Sequence, residues 1–249
     1  VGVWSAVIFI YYILATLLPI DKLIGRIYPV FGVALLVMAV GVGYGVMTHS
    51  GWMPEMTDGL ASHHPKGHAV LPMLCITVAC GAISGFHATQ SPMMARCMKS
   101  ERLGRPVFYG AMIVEGIVAL IWAAAAIKFA GSYERLAEMG NPAVVVNEIC
   151  QNWMGTLGAI LAILGVVAAP ITSGDTAMRS CRLMLADVVH VSQKSLLKRL
   201  ALAIPLFGIV IFISQIDFSV IWRYFGWGNQ LLACFTLWSI SVCLRKRAR

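Results

Sequence analysis

The chain has 249 residues, 59% of them hydrophobic and only 12% charged, with a formal net charge of +8 and a mean hydropathy of +0.80. A soluble domain is about 45–50% apolar and about 25% charged, so this chain cannot coat a globule in water. That excludes a cytosolic enzyme, a disordered tail and a secreted disulfide scaffold, and leaves an integral membrane protein. The positive charge does not point to nucleic acid, because the basic residues cluster between apolar runs.

A span needs roughly 20 apolar residues. In chain order the sequence predicts seven: 1–20, 27–48, 69–86, 107–127, 153–169, 201–216 and 224–244. Together they form one transmembrane domain over 1–249. Pro92 and Pro170 are expected stop or kink points, because proline lacks a backbone donor. The seven cysteines show no C-x-x-C spacing and read as small apolar helix residues. The chain starts at Val1 inside an apolar run, without a signal-peptide n-region. It therefore reads as a fragment of a longer chain.

Lys and Arg between the spans predict orientation. Alternate connections (21–26, 87–106, 170–200 and the tail from 245) hold 15 of the 19 basic residues. The other connections hold Lys66, Lys128, Arg135 and Arg223. This places the C-terminus in the cytoplasm and Val1 outside. The connection 132–152, around Asn141-Pro142, predicts an outer helical hairpin. Residues 178–199 alternate basic and apolar faces and predict an amphipathic helix near lipid headgroups. An ordinary polar linker is the alternative.

Four segments are candidates for chemistry. The first is Ser84-Gly85-Phe86-His87-Ala88-Thr89-Gln90-Ser91-Pro92, at the end of the third span. Irregular backbone at membrane depth survives only against protein or a watery cavity, and broken helices bind solutes through their exposed backbone groups. The alternative is a plain helix exit into a loop. His87 could carry a proton near neutral pH or be structural.

The second is Glu115, roughly 12 Å into the fourth span. A central charge costs about 3 kcal/mol or more. Ala111, Ala119 and Ala123 share its four-residue stripe, which predicts that Glu115 faces packed helices as a proton relay or a structural carboxyl. The third is Thr172, Ser173 and Asp175, just beyond Pro170. These are oxygen ligands suited to a hard cation or a proton, or a capping set for the next helix. The fourth is Phe225-Gly226-Trp227-Gly228-Asn229-Gln230. Asn229 and Gln230 there are expected to bond across helices. His49, His63, His64 and His68 share one outer loop and fit no metal-ligand spacing; they read as solvated.

The run GFHATQSPMMARCMKSERLGRPVFYGAMIVEGIVALIWAAAAI (Gly85–Ile127) resembles the carbon starvation protein A family. So do ITSGDTAMRSCRLMLAD (Ile171–Asp187) and FGWGNQLLACFTLW (Phe225–Trp238), in the family's order. The resemblance implies a bacterial inner-membrane, multi-pass transporter linked to uptake of peptides and pyruvate during carbon limitation. It implies cation-coupled symport, with H+ or Na+ as coupling ion and no resident cofactor or metal. That family looks similar to the LeuT-type superfamily, with two inverted five-helix repeats. The chain would then carry mainly the second repeat, with 69–86 as its broken first helix.

The combined expectation is an all-α membrane helix bundle importing pyruvate or short peptides. Ser84, Gly85, His87, Thr89, Gln90 and Ser91 would bind substrate, and Glu115 would relay a proton. Thr172, Ser173 and Asp175 would form a cation site or gate. Lipid and a small solute are the expected partners; nucleic acid is not. A membrane sensor of carbon status that moves nothing is the rival from another class.

Overall fold

A computed structural model describes residues 7–13, 21–55, 57, 61–63 and 67–247. Those residues are mainly helical and contain no strand. After a helical stretch at 7–13, the α-helices are α1 (Asp21–Thr48), α2 (Val70–Ala82), α3 (Gly85–Cys97), α4 (Ala111–Ala130), the short α5 (Tyr133–Met139), α6 (Pro142–Ala162), α7 (Ala169–Val188), α8 (Leu196–Ile213) and α9 (Phe218–Arg247). Short π-helices, Arg105–Gly110 and Ile163–Ala168, lead into α4 and α7.

Five helical segments among the described residues are long and apolar enough to cross a membrane: Pro29–Thr48, Val70–Cys97, Glu101–Ala130, Leu196–Ile213 and Val220–Arg247. They match five of the seven expected spans. Most of the expected span 1–20 lies outside the described residues. The expected span 153–169 falls in a helical run broken at Gly155, whose φ of 62° and ψ of −143° are non-helical. Pro170 does not end that run. It lies two residues after the π-helical turn Ile163–Ala168, and helical winding continues past it to Val188. The expected amphipathic helix 178–199 is cut as well. α7 ends at Val188, the chain turns through His190 at φ 57°, and α8 starts at Leu196.

The chain divides into two compact units. One is Val1–Gly67 with Gly104–Asp175; the other is His68–Leu103 with Thr176–Arg249. In the first unit α1 packs on α4 and α6. Its core is Ala34, Met38, Val42, Ala125, Ile149, Cys150, Leu161 and Ala162. Lipid tails are as apolar as leucine, so close packing rather than water exclusion holds membrane helices together. Gly41 and Gly45, four apart on α1, supply the closeness: a Cβ on Gly41 would strike the end of Met154, and one on Gly45 would lie 2.5 Å from the Trp153 ring. His49 caps this seam, stacking on Trp153 at 5.2 Å with its Nδ1 3.0 Å from the Gly45 carbonyl. Lys128 Nζ donates to the Val46 carbonyl at 2.7 Å, satisfying one acceptor in the last turn of α1.

The expected outer hairpin is present, in a modified form. Gly131 at φ 75° ends α4 and Ser132 Oγ accepts from the Arg135 N–H to start α5. Gly140 at φ 63° then reverses the chain, and Asn141 Oδ1 accepts from the Ala143 N–H. Pro142 occupies the first turn of the second arm, which continues as the full-length α6. His63 is not merely solvated, because it stacks on Tyr133 at 4.6 Å. His68 is exposed, and His64 lies outside the described residues.

In the second unit α9 packs along α2, and its Gly226 lets Ile76 approach to within 3.2 Å of where a Cβ would stand.

The bend in α6 makes a prediction. Gly155 occupies a backbone region that residues with a Cβ rarely adopt. A Cβ on Gly158 would collide with the Cys150 carbonyl, which is backbone and cannot step aside. Gly158→Ala should therefore cost roughly 2–4 kcal/mol, seen as a large drop in the unfolding temperature in detergent. Gly116→Ala, which meets nothing within 4 Å, should leave it unchanged or slightly raised.

Candidate functional site: a broken helix and a buried carboxyl

α2 ends at Ala82, and helical winding resumes at Gly85. Between them Ile83 has φ −137° and ψ 57°, and Ser84 has φ −82° and ψ 163°. The expected irregular segment 84–92 is thus shorter than the sequence suggests. Winding is lost at Ile83–Ser84 only, and Pro92 is carried inside α3. The reason is a cap. Ser84 Oγ accepts from the His87 N–H at 3.5 Å, and His87 Nδ1 faces the Ser84 N–H at 3.3 Å and its Oγ at 3.0 Å. Each residue satisfies the other's backbone donor, as a Ser/Glu capping box does. Ser84 is buried.

α9 completes the break. Asn229, 3% exposed, accepts from the Gly85 N–H at 2.9 Å through Oδ1. Its Nδ2 reaches Cys80 Sγ at 3.5 Å, on the other side of the gap. One amide therefore pins both halves of the broken helix. One turn further along α3, Gln90 Nε2 donates to Ser180 Oγ at 3.5 Å on α7. Ser180 Oγ also lies 2.9 Å from the Thr176 carbonyl and 2.7 Å from Met93 Sδ. Thr89 Oγ1 turns back to the Phe86 carbonyl at 2.8 Å. Ser91 and Gln230 are half-buried and stand outside this network. The structure thus brings Ser84, Gly85, His87, Gln90 and Asn229 into one polar strip, and adds Cys80 and Ser180. Ser180 lies four residues after Thr176 in the 171–187 motif, a spacing that places both on one helix face.

In the other unit, Asp175 is 1% exposed. The Tyr12 hydroxyl packs against Gly174, close enough for the Asp175 charge to act on it. Burial pushes the Asp175 carboxyl above the usual carboxylate range, because low dielectric disfavours the charged form. Ser173 is exposed, and Thr172 lies in the first turns of α7. Glu115 differs from its expected setting. Ala111, Glu115, Ala119 and Ala123 are all exposed, since α4 packs through Ile121, Trp122, Ala125, Ala126 and Phe129 on another face. Among the described residues no cluster of three metal-ligating side chains occurs.

Apolar helices in this number, one broken and stitched by buried amides and hydroxyls, define a multi-pass membrane protein with a polar strip in its interior. The model of the family "Carbon starvation protein CstA" matches residues 2–156, and the chain belongs to that family. An uncharacterized membrane protein of Haemophilus influenzae is 49% identical over 146 residues, covering 52% of this chain and 39% of its own length. The pyruvate/proton symporter BtsT of Escherichia coli is 37% identical over 89 residues, 34% of this chain and 12% of that protein. The peptide transporter CstA of Escherichia coli is 25% identical over 285 residues, 86% of this chain and 41% of that protein. The chain thus spans about two-fifths of the length of the Haemophilus protein and of the Escherichia coli peptide transporter. No solved structure matches it. Both Escherichia coli relatives are named as transporters.

The stitch can be tested alone. Asn229→Ala strands the buried Gly85 N–H and should cost about 1–3 kcal/mol, read as a lower unfolding temperature in detergent. Ser84→Ala should cost about 1 kcal/mol through the lost cap. Gln230→Ala, outside the network, should change little.

Proposed function

We propose that this chain forms part of a secondary transporter that imports a small organic nutrient, pyruvate or a short peptide, coupled to a cation gradient and used when carbon is scarce. The observation that carries the reading is the break at Ile83–Ser84, held open by Asn229. Irregular backbone of this kind survives at membrane depth only against protein or a watery cavity, and the polar side chains gathered round the break are the groups a solute would meet. The relatives named as a pyruvate/proton symporter and as peptide transporters support this substrate range and favour transport over sensing.

In this reading Ser84, Gly85, His87, Thr89, Gln90 and Ser91 line the substrate path. Asp175, with Thr172 and Ser173, forms the cation site or gate. A carboxyl whose protonation persists to higher pH through burial is suited to binding a coupling proton; Na+ is the alternative ion. Glu115 is the second relay group, on the exposed face of α4. We further infer a LeuT-like inverted-repeat plan in which the broken helix opens the second repeat. The basic-residue asymmetry supports a cytoplasmic C-terminus in a bacterial inner membrane.

Uptake of labelled pyruvate and labelled dipeptide by cells expressing the full-length protein tests the reading. Wild-type uptake should rise as external pH falls. Asp175→Asn should remove that pH dependence, because the side chain no longer takes up a proton. His87→Ala and Gln90→Ala should lower uptake about tenfold or more, the loss of roughly one good hydrogen bond. Unchanged uptake and unchanged pH dependence in Asp175→Asn, Glu115→Gln and His87→Ala together would overturn these assignments.

A further inference from the structure

Near its C-terminal end α7 carries a charge that transport does not call on. Arg182 is 5% exposed, within the second unit. Its Nη1 donates to Gln193 Oε1, a neutral acceptor. Its Nε has no hydrogen-bond partner, and no carboxylate of the described residues pairs with it. Asp187, the nearest acid in sequence, sits 3.7 Å from Arg96 and is largely exposed. Arg199 converges on the same turn, its Nε donating to the Gln193 carbonyl at 2.6 Å. Burial, together with the charges of Arg199 and Arg179, pushes the Arg182 pKa down.

A buried guanidinium facing like charges and one amide oxygen is unfavourable without an anion. Its fork of donors matches a phosphate or carboxylate bidentately. The flanks say which kind of anion. Val188, Val189, Leu196 and Leu197 are 75%, 54%, 55% and 77% exposed, and the exposed Lys194 and Lys198 lie among them. Apolar residues interleaved with lysines at the end of a membrane helix suit the boundary between headgroups and acyl chains.

We propose that Arg182, with Arg199 and Arg179, forms a binding site for a phosphate anion, that of an acidic lipid headgroup, and that Gln193 holds two of the guanidiniums in place for it. The site is independent of the substrate path, and neither reading depends on the other.

The test is thermal unfolding of the full chain in detergent micelles containing phosphatidylglycerol, phosphatidylcholine or no lipid, with inorganic phosphate as a further arm. Phosphatidylglycerol should raise the wild-type midpoint by about 3–5 °C over phosphatidylcholine. Arg182→Gln and Arg199→Gln should each lose most of that difference, and Arg182→Lys should keep part of it. Arg199→Gln guards against misfolding of the buried variant, and size-exclusion chromatography confirms that each variant is folded. Stabilisation by inorganic phosphate that vanishes in both glutamine variants would assign the same site to a soluble phosphate. An equal response of wild type and both glutamine variants in every arm would overturn the site.

Discussion

A backbone amide in hydrocarbon has no water to turn to, and this constraint organises the second unit of the chain. A continuous helix meets it automatically. The interruption at Ile83–Ser84 does not, and each freed group needs a partner from elsewhere in the protein. Ser84 and His87 satisfy one another's donors, and Asn229 takes the Gly85 N–H from a helix 144 residues away in sequence. The break is therefore a built feature. It brings polar groups together in an apolar bundle, which a solute path requires.

The first unit is governed by distance of approach. Where the solvent is lipid, burying another leucine gains little; bringing backbones close gains dispersion contacts over the whole seam. Gly41 and Gly45 let Met154 and Trp153 sink against α1, and Gly158 lets the Cys150 carbonyl fold over it. Gly155 supplies the turn in α6 that makes this second approach possible. The same unit keeps Asp175 almost fully covered. It thus combines a tightly packed seam with a carboxyl whose protonation is poised by burial.

The two sites of buried charge have different settings. Asp175 lies against Tyr12 and the glycine-bearing start of α7, where loss of its charge is the easy response to burial. Arg182 keeps its charge under any ordinary condition, so it must be answered by a counter-charge. Glu115, by contrast, lies on a face of α4 that the described helices leave uncovered. A list of intramembrane ionisable residues taken from the sequence would rank Glu115 first. Burial reverses that order.

Composition and local pattern alone determined the membrane class, five of the spans, the hairpin around Asn141-Pro142 and a break near residue 85, because each follows from hydropathy or from proline, glycine and capping chemistry within a few residues. The motifs at 85–127, 171–187 and 225–238 carried the family. Tertiary structure decided the rest. It reduced the break to two residues, through the Ser84–His87 cap and the reach of Asn229. It carried α7 through Pro170, ended it before His190, and put the Ala111–Glu115 stripe on an exposed face. It also added Ser180, Cys80 and Tyr12, which no local spacing marks as partners. The reason is physical: a helix pattern tells which residues share a face, but not which face its neighbours will cover, and hydrogen bonds between residues 90 or 144 positions apart exist only once the helices have packed.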